Sequence, residues 1–304
     1  YSAQDADTNG EEGQTYVWKK REIENIIGDD SEIYCIFYDV TDGGNFEGNT
    51  ILANNINISS LAFKFSKTED EVRELLKRSS EKLLDVRTKR DQPGTDDKII
   101  TSWNSMMITA FTKGYRISGN EKYRDTAVNA AKYFSEQFSK YGFIHRTFKN
   151  DVPKLNGYLD DYAYLTNSLI DVFEITSDVY FLEMSQKIAN YMIEHFWNED
   201  EKSFFFTADN HESLIVRPKN YYDLSVPSGN SVASNALLKV YHLTHDEKLL
   251  KISEKILESN GTSAAENPFA FGYLLNVMNL YLNSPTEITI VNTENSEIVN
   301  SLYK

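Results

Sequence analysis

WNSMMITAFTKGYRISGNEKYRDTAVNAAKYF, residues 103–134, decides the fold. Apolar side chains recur at helical spacing at Trp103, Met107, Ala110, Phe111 and Tyr115. They do so again at Tyr123, Ala127, Ala130, Ala131, Phe134 and, just beyond, Phe138. Two amphipathic helices are therefore predicted, joined by Ser118-Gly119-Asn120. Gly stops the first helix and Asn caps the second.

Two later segments repeat the plan, DYAYLTNSLIDVFEITSDVYFLEMSQKIANYM from Asp161 and GNSVASNALLKVYHLTHDEKLLKISEKILES from Gly229. Their turns are Thr176-Ser177-Asp178 and Thr244-His245-Asp246. A fourth unit starts at Asn267-Pro268, with Pro at a first helical position, and runs through Phe271, Leu274, Val277 and Leu280. A helix over about residues 70–90 precedes the repeats. The interval of roughly 60 residues exceeds that of tetratricopeptide or HEAT units. The excess lies between hairpins, where GFIHRTF (142–148), SFFFTAD (203–209) and ESLIVRP (212–218) read as short strands. The tail TEITIVNTENSEIVNSLYK (286–304) reads as a strand and a helix. The expected organisation is one mainly α domain over 1–285 and a short tail over 286–304.

Composition narrows the function. Hydrophobic residues make up 40% and aromatics 13% of the 304 residues, enough for a packed core. The net charge of -15 disfavours nucleic acid and anionic membrane surfaces as partners. Cys35 is the only cysteine, so no internal disulfide or paired-cysteine zinc motif is available, and it reads as core. No apolar run reaches membrane-spanning length. A cytoplasmic location is expected, with no cofactor and no metal. The opening run Asp5, Asp7, Glu11, Glu12 lacks calcium-loop spacing and reads as a solvated, mobile terminus, and GNFEGN (44–49) reads as a loop. Among the histidines, His195 and His245 read as structural.

Each first helix follows a polar cluster. Asp96, Asp97, Trp103 and Asn104 mark the first, and Asp160, Asp161 and Tyr162 the second. Arg217, Tyr222, Asp223, Ser228 and Asn230 mark the third. Stacked hairpins put these clusters at one end of the scaffold. Capping explains one acid per helix, because a carboxylate satisfies free N–H groups and complements the dipole. It explains less well two adjacent acids twice over, each beside an aromatic. That combination suits a sugar site, with Asp96, Asp97, Asp160 and Asp161 as candidate catalytic carboxyls and flat rings stacking on pyranose faces. A helix N-terminus favours the charged carboxylate, so a general acid there needs burial or a second carboxylate nearby. Arg217 could clamp an anion or pair with Asp223.

SAQDADTNGEEGQTYVW, GNFEGN, DDK-x-x-TSWN-x-x-M, YLDDYAYL and RPK-x-x-YD-x-x-x-PSGNS together resemble the thioredoxin-domain-containing family called DUF255, which includes YyaL-like proteins and spermatogenesis-associated protein 20. The resemblance covers nearly the whole chain. It implies an (α/α) toroid of six-hairpin glycosidase type, similar to N-acylglucosamine 2-epimerases. It also implies a preceding thioredoxin-like segment and further hairpins that this chain lacks, hence an incomplete ring. The apolar faces so exposed would be covered by that segment or by a homo-oligomer. The expected function is a carbohydrate-active toroid, a glycosidase-like hydrolase using paired Asp carboxyls on a small-molecule or glycan ligand. Three alternatives stand beside it. One is a non-catalytic glycan- or peptide-binding module serving the thioredoxin-like domain. Another is a sugar epimerase, disfavoured because no histidine lies in the motif clusters. The third is redox chemistry on a toroid-bound substrate.

Overall fold

The computed structural model describes residues 1–212, 215–283 and 285–286. These fall into two compact units, Tyr1–Asp97 and Lys98–Lys304, each described here by itself. The expected strand and helix of the tail lie outside the described residues, apart from residue 286.

In the first unit the opening segment is paired rather than mobile. Strand β1 (Ala3–Gln4) pairs antiparallel with β4 (Thr95–Asp96), and β2 (Asp7–Thr8) pairs with β3 (Glu11–Glu12). Asn9 and Gly10, both at positive φ, make the tight turn between β2 and β3. The four acids are exposed, while Thr8 is buried and its hydroxyl meets that of Thr15 at 2.7 Å. Helices α1 (Lys20–Ile27), α2 (Ser31–Phe37), α3 (Ile58–Lys64) and α4 (Glu69–Arg87) follow. They pack around Trp18, Ile23, Tyr34, Leu61, Val72 and Leu75, and Cys35 is buried among them. Thr68 and Glu71 cap α4 reciprocally. Arg90 donates to the Thr15 and Val17 carbonyls, pairs with Glu22 and lies 3.9 Å over the Trp18 ring. A groove of about 1120 Å³ gathers Glu11, Glu12, Phe46, Asn49 and Arg90, so the acidic run and GNFEGN share one surface.

The second unit holds the hairpins. Helices α5 (Thr101–Ser118) and α6 (Glu121–Tyr141) form the first, α7 (Leu159–Thr176) and α8 (Val179–Phe196) the second, and α9 (Gly229–Thr244) and α10 (Glu247–Glu266) the third. A short 3-10 turn, Pro268–Phe271, leads into α11 (Gly272–Leu282). All three turns use one device. Gly119, Ser177 and His245 take the left-handed conformation and close the first helix. Asn120, Asp178 and Asp246 then cap the next through their side chains. His245 is thus a helix stop.

Strand β5 (Ile99–Ile100) pairs with β6 (His145–Lys149), which pairs with β7 (Val152–Asn156). Strand β8 (Trp197–Asn198) pairs with β9 (Ser203–Phe204). No strand forms over the described part of ESLIVRP.

α7 packs between α5, α8 and α9, and every residue from Asp161 to Val172 is buried. Such a helix needs both apolar packing and internal partners for its polar groups. Leu165, Leu169, Met184, Ile188, Met192, Phe196, Leu237 and Ile256 build the common core. The face of α5 differs from the expected one. Trp103, Met107 and Ala110 are exposed, while Thr101, Ser105, Ile108 and Thr112 are buried. Small side chains let α5 lie close to α7, and the hydroxyls of Ser105 and Thr112 are satisfied by the carbonyls of Thr101 and Thr109. The chain is an (α/α) toroid type of helix-hairpin protein. No helix among the described residues is long and apolar enough to cross a membrane.

Candidate active site

The N-termini of α5, α7, α9 and α11 are joined by direct hydrogen bonds, which assembles the polar clusters of the second unit at one end. The joints begin at Asp161. This carboxylate is fully buried and accepts from the backbone N–H of Ser102 and of Tyr158, both at 2.9 Å. Arg146, from β6, donates to both of its oxygens at 3.1 and 3.2 Å. Burial pushes the Asp161 carboxyl upward, and Arg146 and the N–H donors pull it back. Every neighbour donates, so the geometry holds the carboxylate form. Asp161 ties α5 to α7 and has no remaining site for a substrate proton.

Asp160 behaves oppositely. It is the second residue of α7, part-exposed, and its carboxyl makes no hydrogen bond among the described residues. Burial and the adjacent Asp161 charge raise its pKa from 3.8 to about 6, against the lowering effect of Arg146. Gly229 opens α9 against it. A Cβ at position 229 would lie 2.5 Å from Asp160 Oδ1 and 2.9 Å from the Leu159 side chain, so only glycine permits the approach. Tyr164, on the next turn of α7, donates to the Pro227 carbonyl at 2.8 Å and fastens the PSGNS turn to α7.

Asp223 carries the joint onward. It accepts from the Ser228 N–H at 2.8 Å and from the Tyr273 and Leu274 N–H groups at 2.8 and 3.2 Å, so it links the starts of α9 and α11. Ser228 caps α9 through Ser231. Asn230 pairs like a strand, accepting from Phe204 N and donating to the Phe204 and Asn220 carbonyls. Asn104 donates to the Ile100 carbonyl.

Several expected ligand contacts are engaged in structure instead. The Tyr162 ring is buried against Tyr191 at 5.1 Å, and its hydroxyl accepts from Ile144 N, so no face is left for a sugar. Among the described residues Arg217 makes no ion pair with Asp223. It donates to the His195 and Thr207 carbonyls and covers the Phe205 ring at 4.0 Å, pinning the loop before α9. Trp103 and Tyr222 keep exposed rings. Asp96 and Asp97 close the first unit, where Asp96 sits in the β1–β4 pair.

Residue spacing hid two groups. Arg146 comes from strand β6, in an excursion between hairpins that carries no polar cluster of its own before a helix. His211 also reaches the N-terminus of α7. Its Nε2 lies 3.1 Å from the Gly157 carbonyl and its ring 5.7 Å from Tyr158, and burial lowers its pKa. The expectation that histidines stand apart from the motif clusters therefore fails in space. His195 lies 2.8 Å from Asp209 through Nδ1.

Among the described residues no group of three or more His, Cys, Asp or Glu side chains is placed to hold a metal ion. A second set of inner-helix polar groups lies deeper. Asp171 accepts from Lys239 Nζ at 2.8 Å, Thr109 at 2.7 Å and Asn167 at 3.2 Å. Asn235 donates to Asn167 and to Tyr273, completing a layer shared by α5, α7, α9 and α11.

Residues 91–263 match the family model described as Beta-L-arabinofuranosidase, GH127 catalytic domain. The chain belongs to this family. The matched span of this GH127-type chain contains Asp160, Asp161, Arg146, Asp223 and Gly229. The chain is 25% identical over 281 residues to spermatogenesis-associated protein 20 of Homo sapiens, covering 80% of this chain and 36% of that protein. It is 23% identical over 331 aligned positions to uncharacterized protein B0495.5 of Caenorhabditis elegans, covering 98% and 45%. The chain thus spans less than half the length of these relatives. Two solved structures share its fold. One is a GH76 alpha-mannanase of Bacteroides thetaiotaomicron (TM-score 0.50, 12% identity, 92% of this chain and 82% of that one). The other is the cellobiose 2-epimerase of Spirochaeta thermophila (TM-score 0.51, 10% identity, 64% and 57%).

Proposed function

We propose that the chain is the catalytic part of a glycosidase-like hydrolase in which Asp160 is the carboxyl that exchanges a proton with the substrate. One observation carries this reading. Of two adjacent carboxyls, Asp161 is locked by donors and Asp160 is unbonded, partly open and shifted to about 6. A carboxyl titrating near neutrality serves as general acid or base, because both protonation states are populated at working pH. The helix N-terminus would hold it ionised, and burial with a like charge overrides that. Arg146 and Asp161 position it. Hydrolysis of a glycosidic bond takes a second carboxyl beside Asp160. Membership of the GH127 family and the toroid fold of its neighbours support a carbohydrate substrate.

The reading is tested by screening the purified protein against a sugar and glycan library, then repeating the assay with Asp160→Asn. Loss of turnover with binding retained in Asp160→Asn is the expected result. Turnover that survives Asp160→Asn sinks the assignment, and binding without turnover across the library leaves a glycan-binding module. A second reading, proton transfer at a carbon beside a carbonyl as in a sugar epimerase, is favoured by His211 at the start of α7. Exchange of solvent deuterium into a reducing sugar, lost in His211→Gln, would support it. A thioredoxin-like segment, the partner implied by the resemblance, belongs to the same proposal as a neighbour in the longer protein.

A further inference from the structure

We infer that Tyr164 is a positioning residue for Asp160: its hydrogen bond to Pro227 holds the start of α9 over the carboxyl and keeps water from it. The inference rests on the reading of Asp160 as the carboxyl that exchanges a proton, and it names the side chain that maintains the carboxyl in that state.

The placement follows from the helix. Residue 164 stands one turn after residue 160 on α7, and a helical side chain leans back toward the N-terminus. The Tyr164 ring therefore runs toward the rim. It is 8% exposed, and its hydroxyl donates to the Pro227 carbonyl at 2.8 Å. Pro227 has no N–H, so this carbonyl is the one group by which hydrogen bonding can hold it. Residues 224–226 before it are exposed. Among the described residues no other hydrogen bond joins the turn over 224–228 to α7. Two residues on, a Cβ at Gly229 would meet Asp160 Oδ1 at 2.5 Å and Leu159 at 2.9 Å. The body of α9 is held to α7 by the common core, and its first turn by Tyr164.

The tie itself does not titrate. Burial, and then Asp160, Tyr273 and Asp223 nearby, raise the Tyr164 pKa, so the phenol keeps its proton and donates throughout the working range. The charged groups bearing on Asp160 are Asp161 on its own helix and Arg146 from β6. Asp223, from the loop before α9, and Tyr273, from α11, bear on Tyr164 instead. Two roles of the hydroxyl are then separated by sign. A hydroxyl that holds α9 in place, once removed, lets water in and makes Asp160 a stronger acid. A hydroxyl that acts only as a polar neighbour, once removed, leaves a drier site and a weaker acid.

The experiment uses the full chain with isotope-labelled aspartate carboxyls, the Asp160 signal being the one lost in Asp160→Asn. Its titration is followed by NMR in the wild type, Tyr164→Phe, Gly229→Ala and the double variant, with circular dichroism as the check of folding. Tyr164→Phe should lower the wild-type midpoint of about 6 by about one pH unit. The protonated fraction at pH 7 then drops about tenfold, and the corresponding limb of any pH–rate profile should move with it. Gly229→Ala forces α9 away with Tyr164 intact, so it should move the midpoint in the same direction. The double variant should move it no further than the larger single change, because both act on one contact. A midpoint unchanged or raised in Tyr164→Phe, or a double variant whose change is the sum of the two, overturns the inference. So does a midpoint unchanged in Gly229→Ala, an arm that stands even where Tyr164→Phe fails to fold. Turnover that survives Asp160→Asn, with the titrations as expected, overturns the reading of Asp160 and leaves its shielding by Tyr164 in place.

Discussion

The rim and the middle of the inner helices each contain a buried carboxylate paired with a cation. In the middle, Asp171 meets Lys239, Thr109 and Asn167, and Asn167 is itself held by Asn235. At the rim, Asp161 meets Arg146 and two backbone N–H groups, but Asp160 beside it is left with no hydrogen bond. A fully satisfied layer fixes which helices are neighbours. A layer with one unsatisfied acid retains a group that can still change its protonation. The difference locates chemistry at the rim and architecture below it.

The comparison is broken most sharply by activity. Asp160→Asn should lower turnover by about 10²–10⁴-fold, while Lys239→Met should leave turnover per folded molecule near that of wild type. Steady-state kinetics beside a circular-dichroism check of folding decides between them.

Stability should rank the other way. Asp161→Asn removes one partner of a buried pair, and Lys239→Met does the same below, so each should cost roughly 3–5 kcal/mol in denaturant unfolding. Replacing both Asp171 and Lys239 with apolar residues should recover only part of that loss, because the Thr109 hydroxyl and the Asn167 amide lose their acceptor. The same double replacement at Asp161 and Arg146 should not, because the Ser102 and Tyr158 N–H groups would be orphaned.

The pH dependence follows from the raised pKa of Asp160. Below its unfolded value of 3.8 the group is protonated in both states and carries no penalty. Between there and about 6 the unfolded chain ionises first, so stability falls as pH rises. The loss, about 3 kcal/mol, is complete above that window. Asp160→Asn should remove this component, as read from unfolding midpoints at pH 4 and pH 7. The smallest expected effect lies far from either layer. Asp178→Ala, at the cap of α8, should cost about 1 kcal/mol without altering turnover.

The hairpins were readable from the chain because their signals are local. Ser118-Gly119-Asn120 and its two counterparts carry stop and cap within a few residues, and Leu165, Leu169, Met184 and Ile188 follow the helical period. The division of labour between Asp160 and Asp161 was not. It depends on Arg146 arriving from a strand excursion and on Gly229 arriving from the next hairpin. Arg217 and Asn230 looked like ligand contacts because they are polar and clustered, yet their partners are backbone groups that no side-chain pattern reveals. The face of α5 was misread because Trp103 and Met107 outweigh Ser105 and Thr112 in hydrophobicity, while close packing against α7 selects for size.

Gly229 gives the rim a property beyond fit. Because α9 begins in contact with the Asp160 carboxyl, the water reaching that carboxyl is set by how firmly two neighbouring hairpins are clasped. A small outward tilt of α9 would hydrate the group and weaken its hold on a proton. The acidity of the site is in this sense a gauge of the scaffold's mechanical state.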